Sequence, residues 1–178
     1  MTRLPRHLRL ALLPALATLA WGPALADTFP SRKAGLWEVN VQSQGEQPVR
    51  VRQCIDAKTD AQMQQMGQGM AQGACSKNVL RREGATWVGE SVCKMGTTTV
   101  ISRSVASGDP NREIKVVVDA TYSPPLMGMA KGQTTITQRH AGDCPAGWRA
   151  GDMEVPGSPQ RMNVTDMPGA AGKGAPKR

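Results

Sequence analysis

Cys75-Ser76-Lys77-Asn78-Val79-Leu80-Arg81-Arg82-Glu83-Gly84-Ala85-Thr86-Trp87-Val88-Gly89-Glu90-Ser91-Val92-Cys93 is the stretch that decides the fold. Two β-forming runs, 76–82 and 86–92, flank Glu83-Gly84-Ala85. A three-residue loop pairs Arg82 with Thr86, and pairing then runs outward until Cys75 faces Cys93. Directly opposed residues hold their Cβ atoms about 4.5–5.5 Å apart, close to disulfide reach. The spacing therefore predicts a hairpin with Cys75 joined to Cys93, which leaves Cys54 for Cys144.

Upstream, Leu36-Trp37-Glu38-Val39-Asn40-Val41-Gln42 alternates apolar and polar residues, the pattern of a half-buried strand. Residues 45–48 form a turn, and Val49-Arg50-Val51-Arg52 alternates again, which predicts a second hairpin. Asp56 follows as a helix cap, its carboxylate placed to accept the free amide hydrogens of the first turn. Over 57–70, Met63, Met66 and Met70 recur at spacings of three and four and so share one helical face. Gly67, Gly69 and Gly73 weaken that helix and end it.

Downstream, 97–106 is rich in Thr, Val and Ile. Ser107-Gly108-Asp109-Pro110-Asn111 is a turn signal. The run 113–122, with Val116, Val117 and Val118, reads as an interior strand that Ser123-Pro124-Pro125 breaks, and 133–140 is the last strand. The expectation is a mainly β (α+β) domain. It is a curved antiparallel meander of about six or seven strands with one helix packed on it.

The chain has 178 residues. Arg3, Arg6 and Arg9 make a basic leader, 10–20 is an apolar run, and Ala24-Leu25-Ala26 fits a signal-peptidase site. The apolar run is shorter than the roughly 20 residues a membrane-spanning helix needs. The expected division is a signal peptide over 1–26, a domain over 27–155, and a basic Gly/Pro/Met-rich tail over 156–178 that reads as disordered. All four cysteines lie beyond the expected cut, and an even count in an exported chain favours disulfides. The leader holds three of the 22 basic residues and none of the 14 acids, leaving 19 against 14. Much of that excess sits in the tail, so the folded part is too weakly basic to imply nucleic acid. The mature chain has no transmembrane anchor by this reading, and its compartment is periplasmic or extracellular.

Pro30-Ser31-Arg32-Lys33-Ala34-Gly35-Leu36-Trp37-Glu38-Val39 resembles the Lys-x-Gly-Leu-Trp-Glu opening of a family of bacterial exported proteins, domain of unknown function 3617. The likeness continues through Cys54 and the capped helix, Cys75-Ser76-Lys77, the Pro-Pro-Leu-Met-Gly-Met segment at 124–129, Gly142-Asp143-Cys144-Pro145 and Gly151-Asp152-Met153. It implies an exported, disulfide-bonded, mostly β domain. It carries no catalytic or binding residues to transfer.

The residues themselves weigh against most chemistries. The gaps between cysteines are 20, 17 and 50 residues, unlike the close pairs of zinc sites or of a Cys-x-x-Cys redox motif. Met63, Met66, Met70, Met127 and Met129 are soft thioethers that suit Cu(I), so a methionine metal site is one candidate. Packing of the helix on the sheet accounts for the same residues. Beyond the leader His140 is the one neutral-pH base, near Asp143, and no nucleophile elbow, phosphate loop or dinucleotide fingerprint is present. Asn163-Val164-Thr165 fits the glycosylation triplet. Two function classes remain. The first is a non-catalytic envelope domain that needs no cofactor and binds a small apolar ligand, lipid or envelope protein in the hollow of a curved sheet. The second is a soft-metal binder.

Overall fold

The computed structural model describes residues 28–158 and 160–167; the expected signal peptide and the end of the tail, 168–178, lie outside them. The strands are β1 (Gly35–Ser43), β2 (Val49–Ile55), β3 (Cys75–Glu83), β4 (Thr86–Met95), β5 (Thr98–Asp109), β6 (Glu113–Leu126), β7 (Met129–Gly142), β8 (Asp152–Glu154) and β9 (Arg161–Asn163). One helix, α1 (Ala57–Ala74), joins β2 to β3. All pairings are antiparallel, in one open sheet of order β3-β4-β5-β6-β7-β1-β2-β8-β9. β3 to β7 form a meander, and the β1–β2 hairpin then docks its first strand on β7.

Nine strands correct the expected six or seven. The two extra strands are three residues each and come from the Gly/Pro-rich stretch, where alternation is too short to read. They also carry the sheet past the domain boundary expected at 155.

β6 runs on to Leu126, through the prolines expected to break it. The last β5–β6 pair is Thr99 with Ser123, and the β6–β7 register skips from Thr121 to Leu126. Pro124 and Pro125 thus sit where no ladder N–H is required of them.

α1 runs through its glycines, about one turn past the expected end at Met70, to Ala74. The sheet order explains why. β2 and β3 are six strand steps apart, about 28 Å, and an 18-residue helix is about 27 Å long. A helix ending at 70 would fall short of the crossing. A Cβ at Gly67, Gly69 or Gly73 would meet nothing within 4 Å, so no contact requires these glycines.

The register divides the sheet into two faces, because directly paired residues point the same way. One face carries Trp37, Val39, Val116, Ile136, Ala106 and Trp87, and α1 lies on it. The other carries Lys77, Glu90, Arg103, Asp119 and Lys131. The core is Trp37, Ile55 and Ile114, with Phe29, Met63 and Val116 packed against it. Trp37 is fully buried, and its indole N–H donates to the Lys33 carbonyl at 2.8 Å, which satisfies its polar atom.

Asp56 caps α1 as a two-way box. Its carboxylate accepts from the Thr59 N–H at 2.7 Å, and the Thr59 hydroxyl accepts from the Asp56 N–H at 2.9 Å. The Thr59 amide, and then its hydroxyl, hold the Asp56 carboxyl below its ordinary range. A depressed folded value means that the cap's contribution is complete above the unfolded range near 3.9 and is lost as pH falls through the folded value. Asp56→Ala is expected to cost about 1 kcal/mol at pH 7, and the deficit to shrink toward zero in acid, as read by urea melts of both proteins at several pH values. An equal deficit at pH 2 and pH 7 would remove the carboxylate from this role.

Candidate functional site

A cavity of about 340 Å³ lies between α1 and the apolar face of the sheet. Leu80, Trp87, Ala106 and Val116 form its floor, and Phe29 and Met63 face them. Phe29 packs on Trp87 with ring centroids 5.1 Å apart. The Leu80 and Ser104 side chains find room because Gly89 lies between them; a Cβ there would run into the Ser104 hydroxyl.

At one end of the cavity the Arg32–Asp60 pair is almost wholly buried, with side chains 10% and 1% exposed. Arg32 Nε donates to Asp60 Oδ1 at 2.8 Å, Nη2 lies 2.8 Å from the same oxygen as an ion pair, and the Arg32 backbone N–H donates to Oδ2 at 2.8 Å. Nη1 donates to Gln138 Oε1 at 2.7 Å and Gln53 Oε1 at 3.2 Å, and Nη2 reaches the Met63 sulfur at 3.7 Å. Gln64 Nε2 donates to Asp60 Oδ2 at 3.3 Å, and the guanidinium sits 5.5 Å from the Trp37 ring. The ion pair ties the segment before β1 to α1, β2 and β7 at once. A buried pair survives when its remaining donors are satisfied, and here each guanidinium nitrogen has an acceptor.

The sequence carried one unused signal for this pair. Asp60 precedes Met63 by three residues, so an acid sits on the apolar stripe of the helix and requires a cation. Arg32 itself has no such pattern, since it precedes any element. Gly35, in the same opening stretch, has φ +128°, and a Cβ there would overlap the Gly142 carbonyl and the His140 ring. Any side chain at 35 would push β1 off β7.

The cysteines stand as two pairs at disulfide distance, Cys54 with Cys144 and Cys75 with Cys93. Beyond Cys144 the chain folds back over β2. Trp148 lies between Arg52 and Arg161, 5.1 and 5.2 Å from its ring. The Gly151 N–H donates to the Cys54 carbonyl at 2.7 Å. Asp152 is buried beside them. Burial pushes its carboxyl up, but the Arg149 amide, the Asn163 side chain and the charges of Arg161 and Arg149 outweigh that and leave it low. Asn163 is itself buried, and its Nδ2 donates to Asp152 Oδ1 and the Ala150 carbonyl. The glycosylation triplet is therefore spent on the fold.

The five candidate methionines do not converge. Met63 packs on the core that includes Ile114, at the start of β6, whereas Met127 and Met129 flank the turn after its end. That separation is roughly 40 Å along an extended strand. Met66 is half-buried, Met70 is 72% exposed and Met127 is 92% exposed. Met63 also has a guanidinium against its sulfur, a poor neighbour for a second cation. His140 Nε2 bonds the Ala34 carbonyl at 3.1 Å and its ring meets Trp37 edge-on, so the imidazole is engaged with the fold rather than with Asp143. Among the described residues no His, Cys, Asp and Glu group has metal-holding geometry, and no helix is long and apolar enough to cross a membrane.

A family model described as a protein of unknown function, DUF3617, matches residues 32–144. The match begins at Arg32 and ends at Cys144, so it spans the ion pair, both cysteine pairs and the cavity lining apart from Phe29. Neither the curated proteins nor the solved structures yield a match.

Proposed function

Because the chain belongs to the DUF3617 family, whose description assigns no activity, we propose from its own geometry an exported, non-catalytic binding domain. The ligand is a small apolar molecule held between α1 and the sheet. The observation that carries this is the cavity itself: mainly apolar on floor and sides apart from the Ser104 hydroxyl, with the other polar groups gathered at one end around Arg32 and Asp60. Its 340 Å³ is near the lower end of ligand pockets, about 300–1,000 Å³, and suits a ring system or short acyl chain rather than a whole lipid. The roof supports the same reading. α1 holds Met63 inward, but its second half exposes Met70 and carries three glycines without packing partners. Each glycine weakens a helix by about 1 kcal/mol relative to alanine, which favours local opening of the roof. Export is supported by the basic–apolar–small leader and by the two cysteine pairs.

Ser104→Phe fills the cavity from its floor. Wild-type protein is expected to raise the fluorescence of the neutral dye N-phenyl-1-naphthylamine saturably, and the variant to lose that response while keeping a cooperative melt. Equal responses from both proteins, or none from the wild type, would overturn the proposal.

A further inference from the structure

The charged face of the sheet, opposite α1, carries a hollow larger than the cavity beside the helix. It measures about 970 Å³ and extends over six adjacent strands, from Lys77 on β3 to Gln42 on β1. Its floor carries five charged side chains, Lys77, Glu90, Arg103, Asp119 and Lys131, and they are not uniformly paired. Glu90 is taken twice, by Lys77 Nζ at 2.7 Å and Arg81 Nη2 at 2.9 Å, which together bring its carboxyl down to about 2. Asp119 accepts from Gln133 Nε2 at 2.8 Å. Arg103 lies in register between these two carboxylates, opposite Glu90 on one side and Asp119 on the other. Cross-strand opposite charges ordinarily pair. Yet among the described residues the Arg103 side chain makes no ion pair or hydrogen bond, and neither does that of Lys131 on the same floor.

We propose that this hollow binds an acidic oligosaccharide, with Arg103 and Lys131 each taking a carboxylate and Gln42, Thr121, Gln133 and Thr135 serving hydroxyl groups. Three features select that class. A guanidinium offers a planar fork that matches a carboxylate, and both cations are left unused by the fold. They stand two strand spacings apart and two residues out of register, about 12 Å in all, so one small anion does not reach both and two sugars of one oligomer do. The hollow has no aromatic ring on which a nucleobase would stack, and its apolar side chains are few, chiefly Val92 and Ile101. Single-stranded nucleic acid and lipid are therefore the poorer fits. The site is separate from the cavity under α1 and stands whether or not that cavity binds a ligand.

Calorimetric titration with hexagalacturonate at low salt tests it, with neutral maltohexaose as the matched control. Binding to hexagalacturonate alone is expected. The double variant R103Q/K131Q is expected to weaken it at least about tenfold, since hydrogen bonds to charged groups carry that much discrimination. K58A removes an exposed cation on α1 outside the hollow and is expected to change nothing. Overturning results are equal binding of maltohexaose, unchanged binding by R103Q/K131Q, an equal loss in K58A, or no binding of hexagalacturonate. The variant positions are at the sheet surface, and R103A/K131A serves as a second pair should the glutamines misfold.

Discussion

Arg32→Met is expected to destabilise the protein by about 3–5 kcal/mol, because it leaves Asp60 charged, 1% exposed and without its cation. Domains of this size hold only about 5–15 kcal/mol, so the single variant is expected to melt far below the wild type. The companion change separates charge from shape. Asp60→Leu alone strands the guanidinium among Gln53, Gln138 and Met63 and is expected to be similarly harmful. The double variant, Arg32→Met with Asp60→Leu, replaces the pair with apolar groups and is expected to recover most of the loss. A double-mutant cycle by chemical denaturation reads this directly. Additive losses would mean that the two side chains act independently, against the geometry.

The second large effect concerns the cysteines. In the chain-entropy model the 90-residue separation of Cys54 and Cys144 gives about 4–5 kcal/mol, and the 18-residue separation of Cys75 and Cys93 about 3. The topology adds a reason for the same ranking. Leu36 on β1 pairs with Cys54 on one side and Gly142 on the other, so the Cys54–Cys144 link straddles β1. It clamps the seam where the β1–β2 hairpin meets the meander. Cys75 and Cys93 link two strands already paired along their length. Cys54→Ser/Cys144→Ser is therefore expected to be the more damaging variant in denaturant titrations, and losing both links to leave little cooperative unfolding. Non-reducing peptide mapping checks the pairing; a Cys54–Cys75 peptide would contradict it.

The seven long strands and the helix were legible because each carries its own pattern, alternation or three-four spacing, bounded by turn residues. Pairing was harder to read. The β3–β4 turn is Gly84-Ala85, two residues, with Glu83 opposite Thr86. Gly84 takes φ +60°, which permits the tighter turn. That shifts the register by one from a three-residue loop. An extra residue, Ser76, then bulges between Cys75 and Lys77, and Cys75 still faces Cys93. Two departures of one residue cancel, and neither has a sequence signature. The site was less legible than the fold. Phe29 and Arg32, Trp87, and Gln138 come together from three separate segments, and no local spacing encodes such a meeting. The methionine stripe marked the correct helical face, but only Met63 of the three packs on the core.

An open nine-strand sheet has two borders, and each is closed to growth in its own way. β9 is only three residues long, too short to template another chain. β3 is nine residues long and would otherwise invite a neighbour to add itself. It carries charged side chains on both faces, Lys77, Arg81 and Glu83 on one and Arg82 on the other, and the Ser76 bulge interrupts the regular ladder at its start. A second copy adding along β3 would have to align its ladder with the bulged end and accommodate these charged side chains. The bulge that restores the cysteine register thus also breaks the regularity of the one long strand on the sheet's border, where fibre growth would start.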